Sequence, residues 1–134
     1  MPQVDIVDDT WFGVPPRVLA PYVADPANWR RWWPDLSLQV IEWRGPKGVR
    51  WTVPAAAGGK LKGSMEVWLQ DVDDGTIAHF FLRLDSVGRP LSRRERVRYE
   101  RGYRTTTKSV FWALADRLDP GRIARLAGPP TRIP

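Results

Sequence analysis

The hydrophobic period of this chain changes from two to helical and back before it ends on a long helical stripe. In QVDIVDDTWF, residues 3 to 12, Val4, Ile6, Thr10 and Phe12 share one face, interrupted only by Asp8. Such alternation predicts a strand with one wet side. The next stretch, GVPPRVLAPYVADPANW, opens with Pro15-Pro16 and carries Val18, Leu19, Tyr22 and Val23 at helical spacing. Proline suits the first turn of a helix, where its missing N–H had no partner to lose. Pro21 limits or kinks this helix and Pro26 ends it. A second short helix is predicted between Pro26 and Pro34, with Trp29, Trp32 and Trp33 at i, i+3 and i+4 forming one stripe while Arg30 and Arg31 point elsewhere. The stripe is either the buried face of a helix too short to cover itself with smaller residues, or the wall or lid of a pocket.

From Leu36 the period returns to two. LSLQVIEWRG and GVRWTVP read as strands joined across Gly45, Pro46, Lys47 and Gly48. GKLKGSMEVWLQDV and TIAHFFLRLD flank Asp74-Gly75, a strong hairpin signal. With those two as the turn residues, Leu69 should pair with Phe80, Val67 with Leu82 and Met65 with Leu84 on an apolar face. Trp68, Gln70 and Glu66 would then oppose Phe81, His79 and Arg83 on the outer face. After SVGRP, Ser92 and Glu95 form an S-x-x-E capping box, and Asp119-Pro120-Gly121 supplies a stop. The helix between should run from about Arg93 to Leu118, roughly 40 Å at 1.5 Å per residue. Its expected apolar stripe is Val97, Tyr103, Thr107, Val110, Phe111, Leu114 and Leu118, with Arg94, Arg98, Arg101, Arg104 and Lys108 on the rest of the surface. Gly102 in mid-helix costs about 1 kcal/mol against alanine and marks a possible bend.

The order of elements describes one α+β domain over residues 1–126, with AGPPTRIP at the end expected to be a disordered tail. Cysteine is absent and His79 is the only histidine, which excludes disulfides, thiolate zinc sites, thiol nucleophiles and histidine-rich metal sites. Asp71, Asp73 and Asp74 lack the spacing of a calcium loop. Gly58-Gly59-Lys60 lacks the remainder of a phosphate-binding motif. The expectation is therefore no metal and no cofactor. No apolar run approaches the roughly 18 residues that would span a bilayer, and the expected location is the cytoplasm. The net charge of +6 is uneven: residues 89–134 hold 11 Arg and one Lys against two Glu and two Asp, whereas the first 88 residues carry a small acidic surplus. An Arg-rich helix can attract nucleic acid or an anionic surface. Without aromatic side chains clearly set on its exposed face, nucleic acid is disfavoured as a partner.

The segment PPRVLAPYVADPANWRRWWPDL, the GVRWTV strand, and the MEVWLQDVDDGTIAHFFLRLD hairpin ahead of an Arg-rich terminal helix together resemble the START-like helix-grip superfamily, in its bacterial polyketide cyclase/dehydrase and lipid transport branch. The resemblance spans residues 3 to 118. It implies a curved antiparallel sheet of about five strands wrapped around the long C-terminal helix, with two short helices after the first strand and a cavity for an apolar ligand between sheet and helix. The chain departs from the pattern where only PAAAGGKLKGS stands in place of two further strands, which leaves less wall for a closed cavity.

The implied function is binding of a hydrophobic small molecule, lipid-like or polyketide-like. Its expected lining is Trp33, Trp51, Met65, Val67, Phe80, Leu82, Tyr103, Thr107 and Phe111. The alternative is a cyclase or dehydratase that uses Glu42 and Tyr103 in the same pocket. If Val40 pairs with Val53, Glu42 faces inward opposite Trp51, where burial would raise its pKa and suit it to acid–base work. A bulge near Ile41 would instead turn Glu42 outward and Trp43 inward, and this arrangement is slightly favoured. A third reading is a basic protein that binds a partner through the Arg-rich helix.

Overall fold

The structure, a computed structural model, describes residues 1–55 and 59–121. The expected tail, and the end of the expected domain, lie outside the described residues. Five antiparallel strands, β1 (Val4–Phe12), β2 (Gln39–Trp43), β3 (Gly48–Val53), β4 (Leu61–Val72) and β5 (Gly75–Ser86), form one sheet in the order β1-β5-β4-β3-β2. Two short helices, α1 (Pro16–Val23) and α2 (Pro26–Trp32), follow β1, and α3 (Arg93–Leu118) is the last element among the described residues. Both proline expectations hold locally. Pro16 opens α1, and Asp25 caps α2 by accepting the Ala27 amide at 2.9 Å, with Pro26 in the first turn. The Ser92–Glu95 capping box is complete at the start of α3.

The β4–β5 hairpin keeps its expected faces but slides by two residues. Leu69 pairs with Ala78, Val67 with Phe80 and Met65 with Leu82, while Trp68 opposes His79 and Glu66 opposes Phe81. The turn is Asp73-Asp74, and Gly75 lies in β5 instead. A Cβ at Gly75 would sit 2.2 Å from the carbonyl oxygen of Phe12, so the glycine serves the close approach of β1 rather than a left-handed turn. Because side chains alternate with a period of two, a slip of two leaves every residue on its own face. His79 accordingly lies on the outer face, stacked on Trp68 at 4.6 Å and hydrogen-bonded to Asp9 and Gln70.

The core forms between the inner face of the sheet, α2 and one face of α3. Val4, Ile6, Phe12, Trp51, Met65, Val67, Phe80, Leu82 and Leu84 come from the strands, Leu19, Val23, Trp29, Trp32 and Trp33 from the helical segment, and Phe111, Leu114 and Ala115 from α3. Val97 is a correction to the expected stripe, being 47% exposed. Ten residues from Thr107 is not a whole number of helical turns, so Val97 rotates off the buried face. Tyr99 takes the place on the core side. Lys108 ties α3 to the edge strand, its ammonium lying 3.0 Å from the Asp8 carboxylate and donating to the Asp9 carbonyl and the Thr10 hydroxyl.

Candidate functional site

The space assigned by resemblance to a ligand is filled by the protein's own rings. Trp33, just past the end of α2, lies parallel to Phe80 at 5.8 Å and meets Phe111 and Trp51 edge-on. Its indole N–H donates to Thr107 Oγ1 at 2.9 Å, so α3 is bonded to the aromatic plug as well as packed on it. Offset and edge-on contacts of this kind hold rings beyond what area burial alone supplies. Trp51, Met65, Val67, Phe80, Leu82, Thr107 and Phe111 are each nearly inaccessible to solvent. Of the nine residues expected to line a cavity, seven are therefore interior packing, and only Trp33 and Tyr103 reach an opening. The physical reason is size: three tryptophans on a two-turn segment supply enough volume to occupy a grip whose sheet is short.

As a catalytic candidate Glu42 is a second correction, and it is made by the favoured bulge. The β2–β3 ladder pairs Val40 with Trp51 and then Glu42 with Arg50, with an irregularity between Val40 and Glu42. That bulge turns Glu42 to the outer face, where its carboxylate lies 3.0 Å from Arg44. Arg44 also reaches Glu66. The hydrogen bond from Arg44, followed by the charges of Arg44 and Arg50, holds the Glu42 carboxyl below its ordinary range, the reverse of the inward expectation. Glu42 and Tyr103 stand on opposite sides of the sheet and share no pocket. Trp43 takes the inward side, its ring 5.8 Å from Trp29 although more than half of the residue is exposed.

Two clefts of about 240 Å³ each open where α3 leaves the sheet. They share Asp35, Tyr99 and Tyr103. One runs toward Leu36, Val53, Pro54, Lys60 and Leu61 at the ends of β3 and β4, and the other toward Trp32, Trp33, Arg98 and Thr106. Tyr99 and Tyr103, one helical turn apart, stack at 6.3 Å with nearly parallel rings and form the partition between the clefts. Burial, then the negative charge of Asp35 and the neighbouring Tyr99, pushes the Tyr103 phenol up to about 12. Near neutral pH it is therefore a neutral donor. Neither Tyr99 nor Asp35 was marked in the sequence reading. An i, i+4 tyrosine pair on the basic helix and an aspartate directly after the Trp-Trp-Pro run were the available signals.

The outer face of α3 also differs from expectation. Trp112, absent from the expected stripe, is 52% exposed, with Lys108 Nζ 5.8 Å from the centre of its ring. Among the described residues no helix is long and apolar enough to cross a membrane.

No protein-family model and no curated protein matches the chain. Solved structures do. The solution structure of the Aha1 dimer from Colwellia psychrerythraea is similar over 88% of this chain and 98% of that one, with a TM-score of 0.59 at 14% identity. The crystal structure of Ara h 8.0201 matches over 79% of this chain and 93% of its own, with 17% identity and a TM-score of 0.40. Identities this low speak to the fold alone.

Proposed function

The chain has the START-like helix-grip fold, and from that premise we propose that it binds an apolar small molecule with a polar end at the mouth of the grip rather than inside it. The observation that carries this reading is the pair of clefts sharing one wall of stacked tyrosines. The rings of Tyr99 and Tyr103 offer the apolar surface, and the edge of the buried Trp33 closes the floor of one cleft. Arg98 and Lys60 sit at the two ends and Asp35 between them, so a ligand carrying an anionic or carbonyl group would be oriented by charge at the rim and by a phenol donor within. Small-molecule sites combine apolar walls with a few convergent polar groups in this way. A lipid-like or polyketide-like ligand satisfies both demands.

The test uses freshly purified protein in native mass spectrometry, followed by titration of the delipidated chain with anilinonaphthalene sulfonate, an aromatic probe with an anionic end. Retained apolar mass, or probe binding that weakens about tenfold or more in Tyr99→Ala/Tyr103→Ala, supports the reading. Absence of retained ligand together with equal probe affinity in wild type and variant overturns it.

A further inference from the structure

Gly102 breaks a local rule of α3 at a place where the fold does not ask for it. The helix runs through it uninterrupted from Arg93 to Leu118, and in mid-helix glycine is the least favourable ordinary residue. Its φ is not left-handed, and a Cβ built on it meets nothing within 4 Å. Neither backbone geometry nor packing therefore excludes a side chain there. What a side chain would enter is the cleft of about 240 Å³ that α3 forms with the segment from Trp32 to Asp35, because Gly102 is part of its wall. Arg98, Gly102 and Thr106 stand at i, i+4 and i+8, one row along the helix, and all three line that cleft beside the row of Tyr99 and Tyr103. The glycine is thus a notch between a guanidinium and a hydroxyl. Long side chains on a helix lean over the preceding turn, so a larger residue at 102 would cover Arg98 and Tyr99 and fill the notch.

We propose that Gly102 sets the class of ligand that this cleft admits: a flat aromatic ring whose edge enters the notch and whose acidic group pairs with Arg98. The inference rests on the reading of the cleft as a ligand site. Arg98 has no ion-pair partner among the described residues although it lines the cleft, and its planar fork suits a carboxylate or sulfonate. Asp35, on the opposing segment, repels an acid, so charge alone gives the ligand one orientation. The ring preference comes from the walls. Tyr99 and Tyr103 stack with an interplanar angle of 14°, and offset ring contacts hold a flat ligand beyond what area burial supplies. An acyl chain in the same space gains the area alone.

Titration of the delipidated full chain with anilinonaphthalene sulfonate, and with phenylnaphthylamine, the same ring skeleton without the acid, tests this. Gly102→Leu should weaken both about tenfold or more. It should do so with a melting temperature at or above that of wild type, since the new side chain improves helix propensity and its Cβ meets no neighbour. Arg98→Gln should weaken the sulfonate alone, by about fivefold or more. Dodecanoate, an acid without a ring, should displace the sulfonate probe only at higher concentration than naphthoate does. Probe binding that is lost in Tyr99→Ala/Tyr103→Ala but unchanged in Gly102→Leu overturns the inference and leaves the cleft reading standing. A Gly102→Leu chain that melts below wild type also overturns it, because the fold itself would then need the glycine. Equal effects of Arg98→Gln on the two probes remove the pairing with the acid, and dodecanoate displacing at lower concentration than naphthoate removes the ring preference. Wild type that binds neither probe and retains no apolar mass overturns the cleft reading and this inference together.

Discussion

Trp33 and Trp51 show how two residues of one type, 5.9 Å apart, carry different obligations. The Trp33 indole N–H has its acceptor on Thr107. Trp51 Nε1 has none among the described residues and is edge-on to Trp29 at 5.0 Å. Replacing either ring with phenylalanine removes similar volume, but Trp33→Phe also strands the buried Thr107 hydroxyl, whereas Trp51→Phe removes a donor that had no acceptor. Trp33→Phe should therefore be the more destabilising by about 1–2 kcal/mol, read from urea midpoints at constant m. Full truncation, Trp29→Ala, should cost about 3–5 kcal/mol. The stripe formed by these tryptophans was legible from spacing alone. The hydrogen bond to Thr107 was not, because it joins residues 74 positions apart and depends on how α3 crosses the sheet.

At the scale of the element, ends were more legible than registers. Caps are local chemistry, and Asp25, Ser92 and Glu95 act where their spacing placed them. Asp25→Ala should lower stability by about 1 kcal/mol, measured by thermal unfolding. Glu95 carries a pH signature. Arg89, then the Ser92 backbone amide, lowers its carboxyl from an ordinary 4.5 to about 2. A depressed folded-state pKa gives stability that is present above 4.5 and lost as pH falls toward 2. The helical signal of wild type should therefore become more heat-labile across that window, and Glu95→Gln should flatten the dependence. Registers were less legible, because a hairpin turn and a close strand approach both ask for glycine. Gly75 was read as the first and serves the second. The β2–β3 bulge was legible as the slightly favoured alternative, and the ladder bears it out by setting Glu42 against Arg50.

The whole molecule behaves as one packing unit, since Trp33 touches strand β5 through Phe80 and α3 through Thr107 and Phe111. No part of the core can be withdrawn without opening the rest. Tryptophan fluorescence and far-ultraviolet circular dichroism should lose their native signals in a single coincident transition, and two separated midpoints would contradict that. The architecture was readable from the order of amphipathic patterns, because each pattern demands a partner face and few arrangements of five strands and three helices supply it. Whether the grip was hollow was not readable. That is a question of volume, and volume depends on how far apart the sheet and helix settle.

The bond network of Lys108 with Asp8, Asp9 and Thr10 ties β1 to α3. A ribosome releases those partners about 100 residues apart, roughly five to twenty seconds of synthesis. Meanwhile β1 waits for β5, whose Leu84 pairs with Val4, and the aromatic plug has no lid until α3 emerges. The nascent chain therefore carries an unpaired strand and uncovered indoles until α3 has been made, and only then can this domain close its interior. Nascent chains stalled before Arg93 should recruit holdase chaperones and be cleaved readily by protease, whereas chains stalled with α3 fully outside the exit tunnel should resist both.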